Sequence, residues 1–144
     1  MTVYLDTSSA IKLYVSEDGS DLVRELVGSA TIVATSVVTY PESRAALARL
    51  RREGALTAAN ARSARRQLDE QWPSFVAILV TQALCHAAGG FAEQYALRGF
   101  DSIQLASFAE VARRAGPRQT RFSSFDDRLN EAARRLSRRL RTLR

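Results

Sequence analysis

Thr2–Tyr14, TVYLDTSSAIKLY, reads as a buried strand that turns straight into a helix, and this reading decides the fold. Val3, Tyr4 and Leu5 make a short apolar run of the kind a parallel strand uses, and Asp6 closes it with a charge. Thr7 and Ser8 are residue types that cap helices, and Ala10, Ile11, Leu13 and Tyr14 follow with helical spacing. Asp6 is therefore expected where a strand stops and a helix starts. In an open parallel sheet that edge, beyond the carboxyl ends of the strands, is where ligands bind.

The same alternation continues outward from this stretch. Leu22, Val23, Leu26 and Val27 give a short helix capped by Ser20 or Asp21 and ended by Gly28. Thr31–Thr35, TIVAT, is β-branched and reads as a second buried strand. Ser36 is the expected cap of a helix carrying Tyr40, Leu47 and Leu50 inward as far as Gly54, with Pro41 tolerated near its start. Thr57 caps a polar helix from Ala58 to about Gln71, and Trp72-Pro73 breaks it, Trp72 packing at the helix end. Phe75–Val80, FVAILV, is a third strand. Thr81 caps a helix from Gln82 to about Leu97, loosened by Gly89-Gly90. After the link Arg98-Gly99-Phe100, a helix from Asp101 to Ala115 turns Ile103, Leu105, Ala106, Phe108, Ala109 and Ala112 inward. Gly116-Pro117 stops it, Thr120–Ser124 is a fourth strand, and Phe125-Asp126-Asp127 starts the last helix. Strands alternating with helices imply an α/β fold of three layers, with a mainly parallel sheet between helices.

Composition narrows the function classes. The 144 residues form one expected domain, 46% hydrophobic and 25% charged, with an ordinary glycine and proline content. No apolar run approaches the roughly 20 residues of a membrane span, and a strand holding Asp6 is no signal peptide. A single cysteine, Cys85, excludes an internal disulfide and a thiolate metal cage, so a cytoplasmic protein is expected. Cys85 and His86 lie in a helix of small apolar residues and are expected in or near the core. The net charge of +6 sits in Arg128–Arg144. Taking that segment's seven arginines and one glutamate from chain totals of 21 and 15 leaves fourteen of each sign. Lys12 is the only lysine. A guanidinium fork suits phosphate better than an ammonium does, although a GC-rich genome also favours arginine.

Four acids fall in comparable places. Asp6 ends the first strand, Glu42 lies one to two turns into the helix after the second, Asp101 opens an apolar helix, and Asp126 follows the fourth strand. Parallel strands would bring all four to one edge. Singly, Asp101 and Asp126 have a structural explanation, since acidic groups in a first turn complement the helix dipole. Together, four crowded carboxylates repel and some would stay protonated. Two divalent ions offset about four negative charges, and oxygen-only ligands suit Mg²⁺ or Mn²⁺ rather than zinc. Such ions activate water and stabilise the leaving oxygen of a phosphodiester, with no need for histidine or cysteine.

YLDTSSAIKLY, TSVVTYPESRAALARL, YALRGFDSIQLA and FSSFDDRL, in this order and spacing, resemble the PIN-domain family, and within it the VapC toxins of bacterial toxin–antitoxin pairs, from residue 2 to about residue 133. The resemblance implies a Rossmann-like, metal-dependent endoribonuclease that leaves a 5′-phosphate, is held inactive by a cognate antitoxin and forms a homodimer. It carries the acidic quartet to Asp6, Glu42, Asp101 and Asp126, and the hydroxyl beside the last acid to Ser124. The family often adds a fifth strand after a glycine that follows the last helix. Here the chain runs ARRLSRRLRTLR, with neither glycine nor strand. Asp127 adjoins Asp126 and competes for its role.

On this reading Asp6, Asp101 and Asp126 hold the metals, and Glu42 binds the second ion or orients the attacking water. Thr7 and Ser124 fix carboxylates by hydrogen bonds, with plain helix capping as the other reading of Thr7. Arg44, Arg49, Arg51, Arg52, Arg62, Arg65 and Arg66 draw in RNA through its phosphates, unless they are simply a solvated face. Arg128–Arg144 either extends that track or lays its Leu129, Leu136 and Leu140 stripe on a partner or a membrane surface. A receiver domain would need an acidic pair after the first strand and a late lysine. A haloacid-dehalogenase-like phosphatase would need an Asp where Ser8 stands. A processing nuclease without an antitoxin and a non-catalytic PIN-like binding module remain the alternatives.

Overall fold

β1 (Thr2–Leu5) is the strand from which the sheet grows, because Val3, Tyr4 and Leu5 are each buried completely. In the computed structural model, which describes residues 1–143, it lies between β2 (Ile32–Ser36) and β4 (Thr120–Ser123). β3 (Val76–Ile78) extends the far side of β2, so the order is β3-β2-β1-β4 with every pair parallel. The chain winds outward from β1 to β3, then crosses back to lay β4 on the other side of β1. The direction of winding reverses between β1 and β4, which opens a crevice at the carboxyl ends of those two strands.

Helices cover both faces. α1 (Thr7–Ala10), running on into a 3-10 turn at Ile11–Leu13, and α2 (Ser20–Gly28) pack beneath Val3 and Leu5. α5 (Gln82–Tyr95), α6 (Gly99–Ala115) and α7 (Asp127–Thr142) cover the opposite face, which Tyr4 enters because successive strand residues alternate. There Tyr4, Phe108 and Phe122 form an aromatic knot with ring centroids 5.0–5.9 Å apart. α3 (Thr39–Arg52) and α4 (Ala58–Gln71) pair with each other over Leu47, Ala64 and Leu68, beside Ile11 and Tyr14.

Several expectations are corrected. The third strand is three residues rather than six, with Val76 and Leu79 exposed, because β3 is an edge strand covered on one side only. β2 begins at Ile32 rather than Thr31, and Ile32 is exposed at its start. Ser36 ends β2 instead of capping α3, which begins at Thr39 with no side-chain cap. α6 begins at Gly99, two residues before Asp101, and Ile103 is only half-buried while Gln104 is buried in its place. α5 runs unbroken through Gly89-Gly90 and ends at Tyr95, where Ala96 takes a left-handed conformation (φ 53°). Cys85 and His86 are exposed rather than in or near the core. The last helix docks on its own sheet. Leu129, Leu136 and Leu140 are buried, so the apolar stripe is core and not a surface for membrane or partner. Among the described residues there is no fifth strand and no helix long and apolar enough to cross a membrane.

Candidate active site

The crevice beside β1 collects all four acids. Asp6, Glu42, Asp101 and Asp126 line one cleft of about 650 Å³, together with Thr7, Ser8, Gln104, Arg49 and Arg52. Each acid reaches it from a helix start. Asp6 caps α1, Glu42 and Asp101 lie in the first turns of α3 and α6, and Asp126 caps α7. The free N–H groups of helix N-termini favour negative charge, which lets one parallel sheet bring four carboxylates together.

Asp6 is the fixed point. It is 4% exposed, and both its oxygens are held: Oδ1 accepts from Ser8 Oγ (2.7 Å) and Ser9 N–H (2.9 Å), Oδ2 from Ser124 Oγ (2.6 Å). Burial nevertheless raises its pKa from 3.8 to about 6, with the neighbouring Asp126 charge adding to the rise against those hydrogen bonds. Asp101 is also pushed up, by burial first and then by Asp126 and Glu42, against Arg98 and Arg128. Among the described residues no lysine or arginine forms an ion pair with any of the four.

Glu42 is oriented by two donors. Thr7 Oγ1 and Gln104 Nε2 reach its Oε1 at 2.7 and 3.2 Å, and its Oε2 takes no hydrogen bond among the described residues. Thr7 is the first residue of α1 and not its cap; the cap is Asp6 itself. Ser124 ties the last acid to the first, since its hydroxyl donates to Asp6 and accepts from Asp126 N–H (3.0 Å). Asp126 Oδ1 caps α7 at Leu129 N–H, while Asp127 begins that helix and lines a separate groove.

Gln104 and Ser8 belong to the site although sequence reasoning missed them. Gln104 is buried, accepts from Tyr4 Oη (2.7 Å), and donates toward Thr39 Oγ1 (3.0 Å) and Thr7 Oγ1 as well as Glu42. Every polar atom of its amide is used, as a buried polar group requires. Its signal in the sequence is an amide one turn after Asp101, on the face of a helix that is otherwise apolar. Ser8 donates to Asp6 and accepts from Phe125 N–H (2.8 Å), fastening the loop after β4 to α1.

The arginines divide. Arg49 and Arg52 stand at the carboxylate cleft. Arg44, Arg51, Arg52, Arg62 and Arg65 line a neighbouring groove between α3 and α4, and Arg66 is exposed outside its lining. Arg44 is turned onto Tyr40, whose hydroxyl it meets at 2.9 Å, and Arg65 lies 3.8 Å from Asp69.

The donor set fits a hard divalent cation by its chemistry: oxygens only, with one carboxylate, Asp6, buried and in no ion pair among the described residues. Among the described residues no three acidic, histidine or cysteine side chains converge tightly enough to enclose one ion. Mg²⁺ does not require that, since it keeps several waters and takes one or two carboxylates.

Known proteins resemble this chain in sequence and in fold. The PIN domain family signature matches residues 3–135. Ribonuclease VapC45 and ribonuclease VapC49, from two strains of Mycobacterium tuberculosis, are each 36% identical over 109 residues, 76% of this chain and 76% of theirs. The crystal structure of M. tuberculosis VapC20, a sarcin-ricin loop cleaving toxin, superposes with a TM-score of 0.64 at 19% identity, covering 90% of this chain and 94% of that one. PAE2754 from Pyrobaculum aerophilum gives the same score at 20% identity, over 99% and 90% of the two chains. A family signature spanning nearly the whole length, on a sheet wound as described above, means that the chain belongs to the PIN domain family and is of the VapC type.

Proposed function

We propose that this protein is an endoribonuclease dependent on Mg²⁺ or Mn²⁺, acting in the cytoplasm as the toxin of a toxin–antitoxin pair. The observation that carries the reading is the convergence of Asp6, Glu42, Asp101 and Asp126, from four separate segments, into one cleft, with no ion pair to any of them among the described residues. Ribonuclease activity in the VapC relatives supports it. Bound among these carboxylates, a divalent ion supplies a water of lowered pKa and neutralises charge on the phosphodiester. The chain's own residues supply position. Asp6 is held rigid by Ser8, Ser9 and Ser124, and Glu42 stands at the cleft with Oε1 held by Thr7 and Gln104 and no hydrogen bond to Oε2 among the described residues. Arg49 and Arg52 at the rim, with the arginines of the α3–α4 groove, attract the RNA backbone.

A second copy of this chain is the partner that the α5 side suits. Val76 and Leu79 on the β3 edge are exposed beside Ala83 and Ala87, small residues that allow two helices to approach. A cognate antitoxin is proposed from the VapC likeness alone.

The deciding experiment is cleavage of RNA by purified protein with Mg²⁺, Mn²⁺ or EDTA. Asp6→Asn and Asp101→Asn are each expected to lower the rate at least about 100-fold while the circular dichroism spectrum stays unchanged. Full activity in either variant removes the site assignment. A folded wild type that binds RNA but never cuts it would favour the non-catalytic module.

A further inference from the structure

We propose that the groove between β4 and α7 is a second phosphate-binding track, holding by its backbone the RNA strand that leaves the carboxylate cleft. The inference rests on the ribonuclease reading and concerns a surface that reading does not use. Arg118 and Arg121, from the approach to β4 and from the β4 edge strand itself, line a groove of about 630 Å³ together with Arg134, Arg138 and Arg141 of α7. Five arginines against Asp127 put most of the chain's net charge of +6 in this one place. Only Arg134 has an ion pair among the described residues, with Glu131 at 2.6 Å; the other four guanidinium groups have no carboxylate partner there. Unpaired cations held together repel one another, and a polyanion relieves that repulsion.

Geometry selects the kind of anion. Arg134, Arg138 and Arg141 follow the i, i+4, i+7 spacing of one helix face, a line of about 10 Å at 1.5 Å per residue. The groove's other end is Asp127 and Asn130, next to Asp126, so the line starts where the carboxylate cleft ends. An extended acidic polypeptide pairing with the free edge of β4 is the competing occupant. It fits less well, because charged side chains such as Arg121 on an edge strand oppose strand addition. Anchors for peptide side chains are also scarce, since the one aromatic ring in the lining, Phe122, is already stacked on Tyr4 at 5.7 Å. Without exposed aromatic rings for bases to stack on, the track positions the strand and does not read its sequence.

The test is fluorescence anisotropy of a labelled single-stranded RNA of roughly 20 nucleotides in EDTA, across a salt series. It needs no turnover, so it stands even if the wild type fails to cut RNA, a result that would count against the ribonuclease reading separately. Arg138→Glu/Arg141→Glu is expected to weaken binding about tenfold and to reduce the salt slope by about 1.4, since each phosphate neutralised on a single strand contributes roughly 0.7. The same charge change outside the groove, Arg24→Glu/Arg113→Glu, should weaken binding less than about twofold. Should the first pair fail to fold, Arg118→Gln/Arg121→Gln reads the same slope. An unchanged slope overturns the track, as does an equal loss from the outside pair. A poly-glutamate peptide that binds the wild type and is lost in the groove variant, while RNA binding is unchanged, overturns it in favour of a peptide dock.

Discussion

Asp6 joins the fold to the proposed chemistry, and its cost to the fold is measurable. Burial lifts its pKa to about 6, so the native state keeps a proton through a range in which the unfolded chain releases it. The stabilisation from that proton is fully present below pH 4, is lost as pH rises from about 4 to about 6, and is absent above. A rise of about two pH units corresponds to about 3 kcal/mol. In EDTA, Asp6→Asn should therefore melt about 5–10 °C above the wild type at pH 7.5, and the difference should close at pH 4. The asparagine can still accept from Ser8 and Ser9 through Oδ1 and donate to Ser124 through Nδ2. Melts across pH 4–8 decide this; an Asp6→Asn protein less stable than wild type throughout would mean that Asp6 is not a buried charge under strain. The placement of the four acids was legible in the sequence because three lie at the end or start of an element whose type was clear, and Glu42 follows the start of another. Gln104 was not. A single amide on an apolar helix looks like any tolerated polar residue until Tyr4, Thr39 and Glu42, distant in sequence, are seen to surround it.

At the scale of elements, α7 separates what pattern can show from what only packing can. Its arginine content suggests a tail, yet Leu129, Ala132, Ala133, Leu136 and Leu140 recur at helical spacing and are all buried against the sheet. A thin stripe is enough because Ala132 and Ala133 are buried between the leucines and add to the packed face. Leu136→Ala should thus cost about 2–5 kcal/mol, as for a buried leucine in a core, lowering the melting temperature by about 5–15 °C. A change under about 1 °C in a thermal melt would return the segment to the status of a loose tail. Alternation of strands and helices was legible for the same reason β1 was: complete burial leaves a continuous apolar run. Among the errors, those on β3 and α5 arise where residues expected inside are exposed. Burial cannot be told from an uncovered edge in the local sequence, so FVAILV reads as a full strand, and Cys85 and His86 read as core or half-buried.

For the whole molecule, a parallel sheet with one reversal of winding turns four ordinary acids into a single anionic cleft, and its electrostatics link folding to the proposed ion. An ion that binds only the native state stabilises it by about 2.7 kcal/mol at 100 times its Kd. For a chain of this size that is about 5–10 °C in melting temperature. The gain should depend on pH, because below about 6 an ion must displace the proton held by Asp6. Thermal melts with Mg²⁺ or Mn²⁺ should therefore show a clear gain at pH 7.5 and little at pH 5. Asp101→Asn should remove most of the gain at both, as it takes away a carboxylate that burial first, and then Asp126 and Glu42, already push toward protonation. A gain of equal size in that variant, or one independent of pH, would place the cations on the exposed acidic surface. The cleft would then be a negatively charged pocket that repels RNA, with nothing to reconcile it to a phosphodiester substrate.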